Sequence, residues 1–114
     1  MNEVKGFIYL ASPYSHEDQA VMQERYEAAC ATSAALIRAG NIVYSPIVHS
    51  HPLVAYGLPT EWDYWERVDE TMLAHASELW VLMLPGWRQS RGARAEIRIA
   101  DQRHMPVIFT GPLA

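Results

Sequence analysis

The chain contains a single cysteine, Cys30, in 114 residues, so no intrachain disulfide is possible and packing alone must hold the fold. Cys30 falls on a helical apolar stripe with no activating cation beside it in sequence, the pattern of a small core residue rather than a nucleophile. Basic charge is scarce. Nine Lys and Arg stand against 13 Asp and Glu, a formal net charge of −4, which argues against a nucleic-acid polymer as partner. No apolar run approaches the roughly 18 residues of a membrane span, and the opening Met-Asn-Glu-Val-Lys lacks a signal-peptide pattern. These absences predict a cytoplasmic protein with no membrane partner. The five histidines lack zinc-site spacing and have no cysteine pair to join, so no metal is expected. Gly86 and Gly92 do not form a dinucleotide fingerprint, so no nicotinamide or flavin cofactor is expected either. Repeats, linkers and low-complexity tracts are also missing.

What is present reads as one domain spanning residues 1–114. Half of the residues are hydrophobic, enough for one modest core and too many for disorder. The stretch from Leu79 to Ala100 organises the rest. Leu79 to Leu84 is a six-residue apolar run, the mark of a strand buried on both faces, and Pro85-Gly86 stops it. Ser90 is a candidate N-cap for a following helix, which places Ala93, Glu96, Ile97 and Ala100 on one stripe. Glu96 thus occupies a core-facing position, where a carboxylate is costly unless something uses it.

Gly6 to Ala11 predicts a first strand, ended by Ser12-Pro13, with Tyr14 to Asp18 as a loop. A helix follows from about Gln19 to Ala39, with Met22, Tyr26, Ala29, Cys30, Ser33, Leu36 and Ile37 as its apolar stripe. Gly40 marks its end. Ile42 to Tyr44 predicts the second strand, and Ile47 to Pro59 an irregular stretch long enough to be functional. Thr60 to Asp63 resembles a capping box opening a helix that runs to about Ala76. Its stripe is Trp62, Trp65, Met72, Leu73 and Ala76, and Asp69 falls on it. Pro106 to Phe109 predicts the last strand.

Strand, helix, strand, loop, helix, strand, helix, strand calls for a parallel sheet with right-handed crossovers, covered on both faces. The expected fold is a flavodoxin/Rossmann-like three-layer α/β architecture with four to five strands in the order 2-1-3-4. That order sets strands one and three side by side and gathers Ser12, Pro13 and Tyr14 beside the segment from Gly86 to Ser90.

Two inward-facing carboxylates on two helices, Asp69 and Glu96, suit glycosidic-bond cleavage, which needs a nucleophile or base and a proton donor. Alternatively, each acid is satisfied by a salt bridge, with Arg25, Arg67, Arg94 or Arg98 as candidate partners. Tyr9, near the end of strand one, is placed for its hydroxyl to reach Glu96. Ser90-Arg91-Gly92 at a helix start suits a phosphate, held by backbone N–H groups, a hydroxyl and the helix dipole, with Arg88 and Arg94 adding charge. An ordinary N-cap with a solvated basic face has the same pattern. His49 and His51 are expected to line a pocket, with Trp62, Trp65 and Trp87 as core or pocket-wall candidates, although plain packing suits any one tryptophan as well.

Four segments together resemble a known superfamily, the nucleoside 2-deoxyribosyltransferases and the related 2'-deoxynucleoside 5'-phosphate N-hydrolases. Ile8-Tyr9-Leu10-Ala11-Ser12-Pro13 looks like its opening strand, where a Tyr assists the catalytic Glu. Asp69, followed by Met72-Leu73 and Ala76-Ser77, is similar to the segment holding the catalytic Asp. Ser90-x-Gly92-x-x-x-Glu96 matches the phosphate-binding Ser and Gly and the nucleophilic Glu. Ala100 to Val107 resembles the closing helix and strand. Departures are Ser77, where the superfamily usually has a second Asp, and the added Trp87-Arg88-Gln89 before Ser90. The His49-Ser50-His51 loop and the tryptophans resemble a small bacterial and phage branch.

The resemblance implies cleavage of the base–sugar bond of a (deoxy)nucleoside 5'-monophosphate by a glycosyl–Glu96 intermediate. It gives Asp69 the proton transfer, Tyr9 the orientation of Glu96, and Ser90, Gly92 and Arg91 the phosphate. Base exchange between nucleosides and non-catalytic nucleotide sensing are the alternatives. The expected partner is a small nucleoside or nucleotide, with no cofactor. Four tryptophans in so small a domain, and the oligomeric relatives, predict a homodimer or higher homo-oligomer.

Overall fold

The computed structural model of the protein describes residues 6–114. Its four strands are β1 (Ile8–Ala11), β2 (Val43–Tyr44), β3 (Glu78–Leu82) and β4 (Val107–Thr110). Its helices are α1 (Gln19–Arg38), α2 (Pro46–Val54), α3 (Trp62–Ala74) and α4 (Arg91–Gln102), with a short 3₁₀ turn at Trp87–Gln89. The sheet is wholly parallel, in the order β2-β1-β3-β4, so the predicted topology is the one observed, with four strands. No helix among the described residues is long and apolar enough to cross a membrane.

Parallel pairing buries the central strands on both faces, and the alternation of side chains divides the core in two. Tyr9, Ala11, Leu79 and Val81 point to one side, where Leu73 of α3 and Ala100 of α4 meet them. Leu10, Leu82 and Leu84 point to the other, with Ala28 of α1. The result is three layers: α3 and α4, the sheet, and α1. Burying each such Leu stabilises the fold by about 1.5–3 kcal/mol. The register Tyr9↔Leu79 and Ala11↔Val81 sets the carboxyl ends of β1 and β3 side by side.

Several boundaries differ from expectation, each for a local reason. The stretch from Ile47 to Pro59 is not irregular, because Pro46–Val54 is helical. Ser45 is its N-cap, accepting from the Val48 N–H, and Pro46 takes the first position, where its missing N–H costs nothing. β1 begins at Ile8 and β2 at Val43, leaving Ile42 64% exposed. β3 ends at Leu82, two residues before the apolar run does. β4 begins one residue later than expected and extends to Thr110.

The Thr60 capping box is not formed: Glu61 occupies the N-cap of α3 without a side-chain cap bond. Asp63 turns instead to Arg91. α3 ends at Ala74 rather than Ala76. On α1 the buried stripe is Ala29, Thr32, Ser33 and Leu36, while Ile37 is 54% exposed and Cys30 half-buried. Ala29, Ser33 and Leu36 are buried as expected, Thr32 joins them, and Ile37 at the end of the stripe turns out to solvent.

Candidate active site

The site lies at the carboxyl ends of β1 and β3, where ligands bind in open α/β sheets. Helical periodicity brings its acids inward. Trp65, Asp69 and Leu73 recur at four-residue spacing as the buried face of α3. Ala93, Glu96 and Ala100, spaced three and then four residues apart, form the buried face of α4. The small Ala93 and Ala100 let α4 approach the sheet closely and carry Glu96 to it. Glu96 is 3% exposed and Asp69 8%, and both line one cavity of about 480 Å³.

Tyr9, fully buried on β1, donates its hydroxyl to a carboxylate oxygen of Glu96. Tyr44 on β2 packs against Tyr9, with ring centroids 5.7 Å apart, and steadies it. The Asp69 carboxyl has no hydrogen-bond partner among the described residues. No arginine reaches either acid: Arg67, Arg94 and Arg98 are exposed, Arg25 bonds elsewhere, and the ion pair among the described residues is Arg91–Asp63. The salt-bridge alternative for Asp69 and Glu96 is therefore not realised.

Burial without a counter-charge has the expected electrostatic effect. Burial pushes the Asp69 carboxyl up to about 7. Burial pushes the Glu96 carboxyl well above the usual carboxylate range, the Tyr9 hydrogen bond pulls it back down, and the neighbouring Asp69 pushes it up again. The Tyr9 phenol is raised by burial and by the two acids, so it remains a donor. A cleft holding two titratable carboxyls perturbed in this way is where acid–base chemistry is expected.

The other expected residues are placed as follows. Ser12 and Tyr14 line the cavity, and Trp65 forms part of its wall with its indole N–H donating to the Pro59 carbonyl at 2.8 Å. Ser90 is the N-cap of α4, its hydroxyl accepting from the Ala93 N–H at 3.2 Å, and Ser90, Arg91 and Gly92 lie together on the rim. The Trp62 ring rests on Gly92, since a Cβ there would stand 3.3 Å from it.

Four expected pocket residues do not line the cavity. Pro13 is fully buried beneath it. His49 is an exposed residue of α2 beside the Tyr44 ring. His51 sits behind the wall, with its Nδ1 2.6 Å from the Tyr14 hydroxyl and its ring stacked on Tyr26. Trp87 packs against Phe109 and Arg88, away from the acids, because the 3₁₀ turn directs it to the β4 side of the molecule. No group of His, Cys, Asp and Glu among the described residues is arranged to hold a metal ion.

Trp62, a pocket-wall candidate in the sequence, lines the cavity. Arg25 was expected as an ion-pair partner of the acids and is instead a cavity residue that bonds backbone carbonyls, a role no spacing in the sequence records.

Residues 6–111 match the model of a domain of unknown function (DUF1937), and the chain belongs to that family. No curated protein matches it.

Proposed function

We propose that this family member is an N-glycosidase that cleaves the base–sugar bond of a nucleoside 5'-monophosphate. The observation that carries the reading is the buried triad of Tyr9, Glu96 and Asp69, with its acids facing one cavity and no cation between them.

Burial raises the proton affinity of both carboxyls, and the field of Asp69 raises that of Glu96 further. Glycosidic cleavage by a covalent route needs the charge on one acid and the proton on the other. The Tyr9 hydroxyl favours charge on Glu96, and the proposed route places the proton on Asp69. Glu96 then attacks the anomeric carbon as the bond to the base breaks, and Asp69 delivers its proton to the departing base nitrogen. In the second half, Asp69 takes a proton from water. The resulting nucleophile attacks the same carbon and frees Glu96 with the sugar phosphate.

Ser90 and Gly92, with Arg91 beside them at the start of α4, offer a hydroxyl and backbone N–H groups to the 5'-phosphate. The Trp62 and Trp65 rings suit the flat base. A phosphate held in the acceptor's path favours water over a second nucleoside, and therefore hydrolysis over exchange.

The test is incubation of the protein with a panel of ribo- and deoxyribonucleoside monophosphates, with chromatography of released base. Release by wild type and none by Glu96→Ala is expected. Equal release by both would remove Glu96 from the mechanism, and binding without turnover in either would favour the sensing alternative.

A further inference from the structure

The cavity wall carries a guanidinium, that of Arg25, with no carboxylate in ion-pair contact among the described residues. Arg25, on α1, lines the cavity and donates from Nη1 to the carbonyls of Tyr14 and Ser15, at 3.3 and 3.1 Å, and from Nη2 to the carbonyl of Pro85, at 3.1 Å. These carbonyls belong to the two loops that leave β1 and β3, so the side chain ties those loops together. Three of the five guanidinium donors are used; one on Nε and one on Nη2 have no partner among the described residues. Gly86 leaves room for the group: a Cβ there would lie 2.8 Å from Nη2, and the φ of +88° excludes most side chains as well.

Arg91, the other arginine on the rim, differs in charge state. Its guanidinium is 2.9 Å from the Asp63 carboxylate. Among the described residues no ion pair joins Arg25 to Asp69 or Glu96. Burial weakens the hold of Arg25 on its own proton, as for a cation that has lost water. The cavity thus has two poles: the buried acids and a cation between the loops.

We propose that Arg25 is the cationic contact of the ligand's anionic group, a phosphate monoester, and adds its charge to the hydroxyl and N–H groups that Ser90 and Gly92 offer in the same cavity. The proposal rests on the glycosidase reading for the sugar and base, while the anion site stands on the geometry of Arg25 itself. Two free donors on a planar cation match two phosphate oxygens. Occupancy joins ligand to both loops at once.

Calorimetric titration of the full chain with ribose 5-phosphate and with inorganic phosphate, ribose being the uncharged control, tests this. Arg25→Gln keeps an amide donor for one carbonyl and removes the charge, and it is expected to weaken ribose 5-phosphate binding by about tenfold or more. Arg38→Gln, an exposed arginine of the same helix outside the cavity, is expected to change it by less than about threefold. Wild type that binds neither phosphorylated probe overturns the proposal. So does Arg25→Gln that loses thermal stability but keeps its phosphate affinity, because the residue is then a loop clamp only. Should Arg25→Gln not fold, Arg25→Lys, which keeps the charge and loses the planar pair of donors, decides: a weaker preference for ribose 5-phosphate over ribose than in wild type supports the proposal, and an undiminished preference overturns it. Phosphate binding with no base released from any nucleotide removes the glycosidase reading and leaves the anion site standing. Base release that is indifferent to Arg25 and to the phosphate does the reverse.

Discussion

Helices α3 and α4 meet twice, and the two meetings are opposites. At their outer ends Asp63 and Arg91 form an ion pair at 2.9 Å, with both side chains more than 70% exposed. One to two turns deeper, Asp69 and Glu96 face the same cavity as two like acids, buried and with no cation between them. The exposed pair is what water and entropy leave almost neutral in energy, typically about 0–1 kcal/mol. The buried pair is an arrangement that folding alone disfavours, since each ionised carboxyl has lost its water without gaining a counter-charge. The contrast is one of cost: the outer pair is nearly neutral in energy, whereas the inner acids are held at the expense of stability.

The largest expected effect is at the floor. Glu96→Gln, nearly isosteric and uncharged, is expected to lower kcat/KM for base release by at least about 10³ while folding normally. A folded variant that keeps wild-type turnover would reduce the buried pair to the status of the outer one. Asp69→Asn is expected to cost about 10²–10⁴ as the proton donor is lost, and least for substrates whose base leaves easily.

The same substitution tests linkage. Asp69 holds its proton in the fold up to about 7, whereas the unfolded carboxyl releases it near the ordinary value of 3.8. The folded state therefore binds more protons in that window, and stability must rise as pH falls from 7 towards 4. Glu96 acts in the same direction. Thermal melts are expected to show a gain of about 1–3 kcal/mol over that range in wild type, and a flatter profile in Asp69→Asn. Stability that falls on acidification through this range would contradict the burial of both acids.

Tyr9→Phe removes the donor that favours charge on Glu96. A loss of about 10- to 100-fold in rate is expected, the worth of a hydrogen bond to a charged group. Because the Tyr9 bond lowers the Glu96 proton affinity, its removal moves the rising limb of the pH–rate profile to higher pH. An unmoved limb would mean that Tyr9 only packs. The smallest effect belongs to the outer pair: a double-mutant cycle on Asp63→Asn and Arg91→Gln is expected to give a coupling below about 1 kcal/mol, falling further with added salt.

The sheet was legible in the chain because a parallel strand buried on both faces shows as an apolar run, and the alternation with helices leaves few topologies. The acids were legible by spacing alone: Glu96 lies three residues after Ala93, and Asp69 four after Trp65, each on a stripe that is otherwise apolar. Other features were not. Pro46 and Pro52 look like breakers, yet one opens α2 and the other lies within it, at a cost that packing of Ile47 and Val48 against Tyr14 and Ala29 offsets. Trp87 was drawn to the site by its nearness in sequence to Ser90, but a 3₁₀ turn one residue before the N-cap sends it the other way.

Periodicity and composition by themselves determined the layer order, the strand order and the presence of two acids on inner helical faces, because burial preferences act residue by residue along the chain. What only the tertiary structure decided is which groups share a field. Whether Glu96 meets Tyr9 or an arginine, and whether Arg25 meets an acid or three carbonyls, depends on distances between segments up to 87 residues apart. Coulomb and hydrogen-bond energies fall off over a few ångströms, a scale that sequence spacing does not record.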